Sequence, residues 1–384
     1  MILLSAPNIA GNEWKYVKDC LDTGWVSSVG SYVTRFEEMM AAYTGSAHAV
    51  ACVNGTNALH IALLLQGVEA GDLVIAPNIT FIASINAIKY CGASPVLVDI
   101  DPGTWQMDIT LLEAFLSEDC HQNDDGKTIH TATGKKVAAI LPVHVLGNVA
   151  DINSLCTLAA FHQIPVVEDA TEALGSTYNG RHAGSFGQMG CFSFNGNKII
   201  TTGGGGMIVT DNPELAARAK HLTTQAKADP FEYIHDEVGY NYRMVNVLAA
   251  MGVAQMEKLP SFIERKKEIN QYYRQHLCNL GDIQFQQIQP EADINFWLFT
   301  FRTAQNQPLL KRLNLAGIQS RPFWKPMNQL PMFVTDIYLT RNNYSDIIYK
   351  ECISIPSSTF LTNNELEQIV EQISNHFSST PEHD

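Results

Sequence analysis

Two hydrophobic textures alternate along the first two-thirds of the chain. One is the short, continuously apolar run, seen at residues 73–77, 95–100, 137–142 and 165–169. Runs without polar alternation predict strands buried on both faces. The other texture has a helical period. Thr34-x-x-Glu37 has the spacing of a capping box and predicts a helix through Ala41. Residues 57–66 are apolar almost all round (Leu59, Ile61, Leu63, Leu64, Leu65), which predicts a buried helix stopped by Gly67. A further helix is predicted over 81–90. Asp151 caps another, with Ile152, Leu155, Leu158 and Ala159 on one face. This βαβ alternation predicts an α/β fold with a mostly parallel sheet covered on both sides. In such sheets ligands gather at the carboxyl ends of strands, and Asp169 stands at one.

The texture changes near Met244. A long helical pattern runs to Lys258, is cut at Pro260 and resumes through Cys278; shorter mixed segments and a helix over 364–375 follow. The division expected is a large domain over 1–250 and a smaller C-terminal α/β domain over 251–384. Residues 121–136 are polar and rich in Gly, Asp and Thr, and read as a surface insertion; the polar end, 378–384, reads as disordered.

Composition narrows the picture. The 384 residues are 46% hydrophobic and 17% charged, enough for a large core. No run approaches the roughly 20 apolar residues of a membrane helix, and the N-terminus lacks the basic start of a signal peptide. A net charge of −14 argues against a nucleic-acid or anionic-membrane surface. The eight cysteines are scattered without a C-x-x-C pair or zinc spacing, so no metal site is expected. Free thiols fit a reducing cytoplasm.

The chemistry concentrates in two segments, Val166-Val167-Glu168-Asp169-Ala170-Thr171-Glu172 and Ser193-Phe194-Asn195-Gly196-Asn197-Lys198. A strand-end acid followed by a lysine behind a serine-bearing stretch is the layout of a pyridoxal 5′-phosphate (PLP) site. There an Asp pairs with the pyridinium nitrogen and a Lys forms the Schiff base. Ser193 and the Asn54-Gly55-Thr56 turn are phosphate candidates. Gly55 admits close backbone approach, and the amides of Thr56 and Asn57 open the buried helix at its anion-favouring end. Phe81 follows a strand end, where it either stacks on a cofactor or packs in the core. The run Gly203 to Gly206 lacks the G-K-[ST] ending of a nucleotide loop and reads as a tight turn before a strand.

These residues, together with GTNALHIALLLQGV, GDLVIAPNITFIASINAI, GASPVLVDIDPGTWQMD, LPVHVLGNVADI and HDEVGYNYRM, resemble the DegT/DnrJ/EryC1/StrS family of nucleotide-sugar aminotransferases over nearly the whole chain. The resemblance implies PLP fold type I, the architecture of aspartate aminotransferase. It implies that Lys198 holds the cofactor, Asp169 pairs with the ring nitrogen, Thr56 and Ser193 bind the phosphate, and Phe81 stacks on the ring. It also implies a homodimer with shared sites, in which Asn241 reaches the neighbouring subunit's cofactor. Glu172 stands where many members have Gln or His, as in perosamine synthases. Asn328 replaces a histidine common in the family. The segments GWVSSVGSYVTRFE, NGNKIITTGGGGM and HLTTQAK are most similar to aminotransferases of legionaminic-acid and bacillosamine pathways. That similarity implies L-glutamate as donor and a UDP-2-acetamido-2,6-dideoxy-4-keto-hexose as acceptor, for a bacterial surface glycan. GDP-4-keto-6-deoxymannose, the substrate of a GDP-perosamine synthase, is the alternative. A non-catalytic PLP-binding homologue is a third reading, against which Lys198 and Asp169 speak. Candidate sugar-nucleotide contacts are Trp25, Ser27, Glu172, His235, Arg321 and Trp324; Trp25 and Trp324 also suit a core, and Arg321 a surface ion pair.

Overall fold

Successive residues of the apolar strands divide between two cores. Ile75, Val96, Ile140, Phe192 and Met207 join one, whereas Val74, Ala76, Leu97, Ala139, Cys191 and Ile208 join the other. That division follows from the two-residue period of a strand whose two faces are both covered. The computed structural model describes residues 1–229 and 231–379.

Seven strands build the middle of the central sheet: β1 His48–Cys52, β2 Leu73–Pro77, β3 Ser94–Val98, β4 Lys135–Ile140, β5 Val167–Asp169, β6 Met189–Ser193 and β7 Gly206–Thr210; Ile337–Leu339 extends it in parallel beside β3. Their order is β3-β2-β4-β5-β6-β7-β1, with the β4–β5 junction made by the bridges Ile140–Val166 and Val143–Asp169. Only β7 runs against its neighbours. The sheet is therefore mostly parallel, as the sequence pattern predicts.

One face is covered by α3 (Gly55–Leu65), α4 (Ala83–Tyr90) and α6 (Pro213–Thr223), and the other by α2 (Ser31–Thr44), α5 (Ile152–Phe161) and α7 (Asn246–Met256), on which α1 (Glu13–Thr23) packs. Helix α3 is buried nearly all round; Leu59, Ile61 and Leu63 are fully covered, and each such side chain contributes roughly 1.5–3 kcal/mol relative to exposure. Asp151 caps α5 by accepting the Ser154 amide.

A third core belongs to the C-terminal part. It gathers Ile269, Tyr273 and Leu277 of α8 (Leu259–Leu277), Phe299 and Phe301, Ile353 and Ile355, and Ile369 and Ile373. Its sheet contains Gln284–Phe285, Phe299–Arg302, Cys352–Ile355 and Arg321–Pro322 in that order. Ile2 packs into the same core and bridges to Ile318, so the first residues join this part. Helix α8 links the cores: Leu259, Phe262 and Ile263 face the large one and the later turns face the third.

One expectation needs correction. The capping box at Thr34 does not form. Helix α2 begins a turn earlier, after Gly30, and Asn246 Oδ1 accepts the amides of Tyr32 and Val33. Glu37 turns inward instead, accepting the Ala51 amide and pairing with Arg243. The polar stretch at 121–136 lies largely at the surface. Cys120–Gln122 and Thr128–His130 form a hairpin that continues antiparallel onto the start of β4. Of the polar end, residues up to Ser379 complete the last helix, and 380–384 lie outside the described residues.

Candidate active site

A cavity of about 420 Å³ opens at the carboxyl ends of β5 and β6, between the central sheet and the C-terminal part. Strand β5 delivers Asp169 to it. The carboxylate is 2% exposed; it accepts Ser84 Oγ from α4 at 2.6 Å and the Thr171 amide at 3.1 Å. A carboxylate offers about four acceptor positions, so capacity remains for a donor in the cavity.

The turn after β5 brings in Glu172. Its Oε2 accepts the Leu146 amide at 2.8 Å, and Leu146 presents that amide from a left-handed conformation (φ 61°). Its Oε1 lies 3.7 Å from Lys198 Nζ. Burial pushes the Glu172 carboxyl up to about 7; the nearby Asp169 charge adds to this, while Lys198 and the Leu146 amide oppose it.

Lys198 follows β6 in a turn closed by its own amide to Asn195 O. Its ammonium stands over the Trp297 ring, 4.1 Å from the centroid. Trp297 in turn stacks with Trp324, 6.4 Å away and 14° from parallel.

The remaining wall is backbone. Asn54 caps α3 by accepting the Asn57 amide at 2.8 Å, leaving the Gly55–Thr56 end of the helix facing the cavity beside Ser193. A Cβ on Gly55 would fall 2.9 Å from Ser193 Cβ and 3.2 Å from Thr171 Cγ2, so glycine is required for this approach.

Of the residues singled out from sequence, Gly55, Thr56, Phe81, Asp169, Glu172, Ser193, Lys198, Arg321 and Trp324 line this cavity. Phe81 is 55% exposed at its rim. Asn57, Trp25, Ser27, His235 and Asn241 do not line it. Asn57 spends its amide on the Asn54 cap. Trp25 and Ser27 are anchored through their carbonyls to Asn246. His235 sits on an exposed hairpin strand with its ring on Gln225 O. Asn241 bridges to Thr224. Sequence reasoning missed Ser84, Leu146 and Trp297, which come from other elements. The one available signal was Ser84, three residues past Phe81 at the start of a predicted helix.

These geometries can be set beside known proteins. A family model described as the DegT/DnrJ/EryC1/StrS aminotransferase family matches residues 7–374. A GDP-perosamine synthase of Caulobacter vibrioides is 37% identical over 382 residues, covering 96% of each chain. Another, from Escherichia coli O157:H7, is 38% identical over 376 residues, covering 97% of each. Among solved structures, a protein described as sugar aminotransferase Spr1654 of Streptococcus pneumoniae, in its PLP form, matches with a TM-score of 0.87 at 27% identity over 98% of each chain.

Proposed function

The chain belongs to the DegT/DnrJ/EryC1/StrS aminotransferase family, and from that premise we propose that it moves an amino group from L-glutamate to the 4-keto carbon of a nucleotide-linked 6-deoxy sugar. The fold is PLP fold type I and the cofactor is PLP. The cavity residues fit that group: a glycine-lined helix N-terminus for the phosphate, a buried carboxylate with spare acceptor capacity, and a lysine amine. The observation that carries the reading is the convergence of Lys198, Asp169 and Glu172 in one buried cavity, with Lys198 Nζ 3.7 Å from Glu172 Oε1.

When bound, PLP supplies the carbonyl that takes up amino groups and the electron sink that stabilises negative charge at the substrate carbon. Asp169 keeps the ring nitrogen protonated, helped by the Ser84 and Thr171 donors that hold its carboxylate in place. Thr56, Ser193 and the start of α3 hold the phosphate. Lys198 anchors the cofactor and, when released, carries the proton between carbons as base and then acid. Glu172 sits at ion-pair distance from that amine, 3.7 Å. Trp25, Ser27, His235 and Asn241 complete the site of a second copy in a homodimer. Eight free cysteines suit a cytoplasmic reaction. Among the described residues no helix is long and apolar enough to cross a membrane.

For the sugar, the relatives named GDP-perosamine synthase speak for GDP-4-keto-6-deoxymannose. A second reading is UDP-2-acetamido-2,6-dideoxy-4-keto-glucose, of the legionaminic-acid or bacillosamine type. It is favoured by the sequence segments above. A side-by-side assay with glutamate and both sugars decides between them. We expect kcat/KM to favour the GDP sugar by at least ~100-fold, equivalent to roughly 2.7 kcal/mol. A reversed preference would install the second reading. Absence of an amino sugar from either would overturn both substrate assignments.

A further inference from the structure

The peptide group that leads into Lys198 is held from outside its own segment. Its N–H, on Lys198, donates to Asn195 O at 3.0 Å and closes the local turn. Its carbonyl, on Asn197, accepts two side-chain donors: Trp297 Nε1–H at 2.7 Å and the Ser5 hydroxyl at 2.8 Å. A carbonyl oxygen has two lone pairs, so this one is fully used. The two donors stand 100 and 192 residues away in the chain. Both are themselves fixed. Trp297 is 3% exposed; its amide donates to Asn295 Oδ1 at 2.9 Å and its carbonyl accepts Lys266 Nζ at 2.7 Å. Ser5 lies in a strap, residues 2–8, that is laced to the C-terminal part. There the Leu4 amide donates to Gln319 Oε1 at 2.9 Å, the Ser357 amide to Leu4 O at 2.9 Å, and the Ala6 amide to Ser358 Oγ at 3.0 Å. The strap packs directly behind the lysine: Ser5, Ala6 and Asn8 border, with Lys198 and Ile199, a void of only about 10 Å³, at the lower limit for one water. Leu4 joins Trp297 in the wall of the cavity itself.

From this geometry, and resting on the reading of Lys198 as the residue that holds PLP, we propose that Ser5 and Trp297 are positioning residues that together lock the Asn197–Lys198 peptide. The strap and the C-terminal part thereby set the root from which the lysine side chain reaches into the cavity. With one donor the carbonyl can pivot about a single bond; two donors from different elements fix its plane. A lysine amine rides on a flexible four-carbon stem, so a swing of the backbone at its root displaces the amine as well. Proton transfer needs that amine within hydrogen-bond reach of the reacting carbon. A misplacement of about 1 Å, caused far from the chemistry, can cost roughly 100-fold in rate.

The test begins with the full-length chain freed of cofactor. Deuterium exchange is followed at the Lys198 amide, which opens when its peptide swings. Trp297→Phe keeps an aromatic ring but loses the N–H. It should speed exchange at this amide by about three- to tenfold, the worth of one hydrogen bond. The Ser5 bond is more open to solvent. Ser5→Ala should therefore speed exchange by about two- to fivefold, and Ser5→Thr, which keeps the hydroxyl, should not. The double variant, Ser5→Ala with Trp297→Phe, should fall clearly short of the product of the two single effects, because the first loss already frees the carbonyl to pivot. With PLP bound, the same variants should slow the glutamate half-reaction by similar factors. The glutamate concentration at half-saturation should stay unchanged, since the lock acts on the lysine and not on the substrate. If Trp297→Phe does not fold, Ser5→Ala and Ser5→Thr carry the test. Unchanged exchange at Lys198, a rise spread evenly along the chain, a double effect that reaches the product, or faster exchange with an unchanged half-reaction would each overturn the lock and leave the aminotransferase reading standing. Failure of the unmodified chain to fix PLP at Lys198, read by borohydride reduction, would overturn both.

Discussion

Asp169 shows how one side chain is prepared for its task. Its oxygens already hold two donors, from Ser84 Oγ and the Thr171 amide, so its orientation is set before anything binds. Its remaining capacity is for a cation-type donor, and an ionic hydrogen bond of that kind is worth roughly 1.5–3 kcal/mol. Asp169→Asn should keep PLP but lower the rate of the glutamate half-reaction by about 10- to 150-fold, measured by stopped-flow absorbance. An unchanged half-reaction would remove Asp169 from the ring-nitrogen role. Asp169 and Lys198 were legible from sequence because each ends or follows a local apolar strand run. Ser84, 85 residues away from Asp169, and Trp297, 100 residues from its Asn197 partner, were not. No local pattern encodes a contact made by folding.

Helices carry the same lesson at their ends. The interior of α3 was readable because it is apolar on all sides, but the start of α2 was not. Its cap comes from Asn246, more than 200 residues on, and the local Thr34–Glu37 pair lost to a buried ion pair with Arg243. The start of α3 is set by close packing, so Gly55→Ala should shift it. Relief of the 2.9 Å contact with Ser193 should cost about 1–3 kcal/mol of stability and weaken PLP retention by at least tenfold, by fluorescence titration. Wild-type affinity in that variant would contradict the phosphate-end assignment. Helix α8 holds Lys266, whose Nζ contacts Trp297 O, Ser357 O and Ser357 Oγ. Burial pulls its pKa down to about 7 from 10.5. Between these values the unfolded chain binds a proton that the folded chain has released, so this group's contribution to stability rises with pH. Below about 7 its burial penalty is fully present. Lys266→Met lacks this dependence and also leaves carbonyls without a donor, at roughly 1–3 kcal/mol. The wild-type advantage over the variant, from urea unfolding, should therefore grow between pH 6.5 and 9. A constant difference would mean that Lys266 stays charged throughout.

The whole molecule places one cavity between two cores and leaves several candidate contacts outside it. Trp25, Val29, Phe231, Tyr233 and Val238 are strongly exposed on the segments that also carry Ser27, His235 and Asn241. Exposed apolar side chains beside unplaced site residues suit a partner surface, which is why we propose a shared-site homodimer. Mixed dimers of Lys198→Ala and Asn241→Ala chains should regain activity, up to about a quarter of wild type for random pairing, because one site then has both residues. Confirmed mixed dimers without recovery would rule out sharing. The central claim is amino transfer in two halves through Lys198 and PLP. Its most direct measurement adds glutamate alone to the PLP-loaded enzyme and then a 4-keto sugar nucleotide, following the visible PLP band and the products by mass spectrometry. The account predicts that glutamate bleaches the band with one equivalent of 2-oxoglutarate per site, and that the sugar restores it while becoming an amino sugar. A band untouched by glutamate, or restored without an amino sugar, would contradict it.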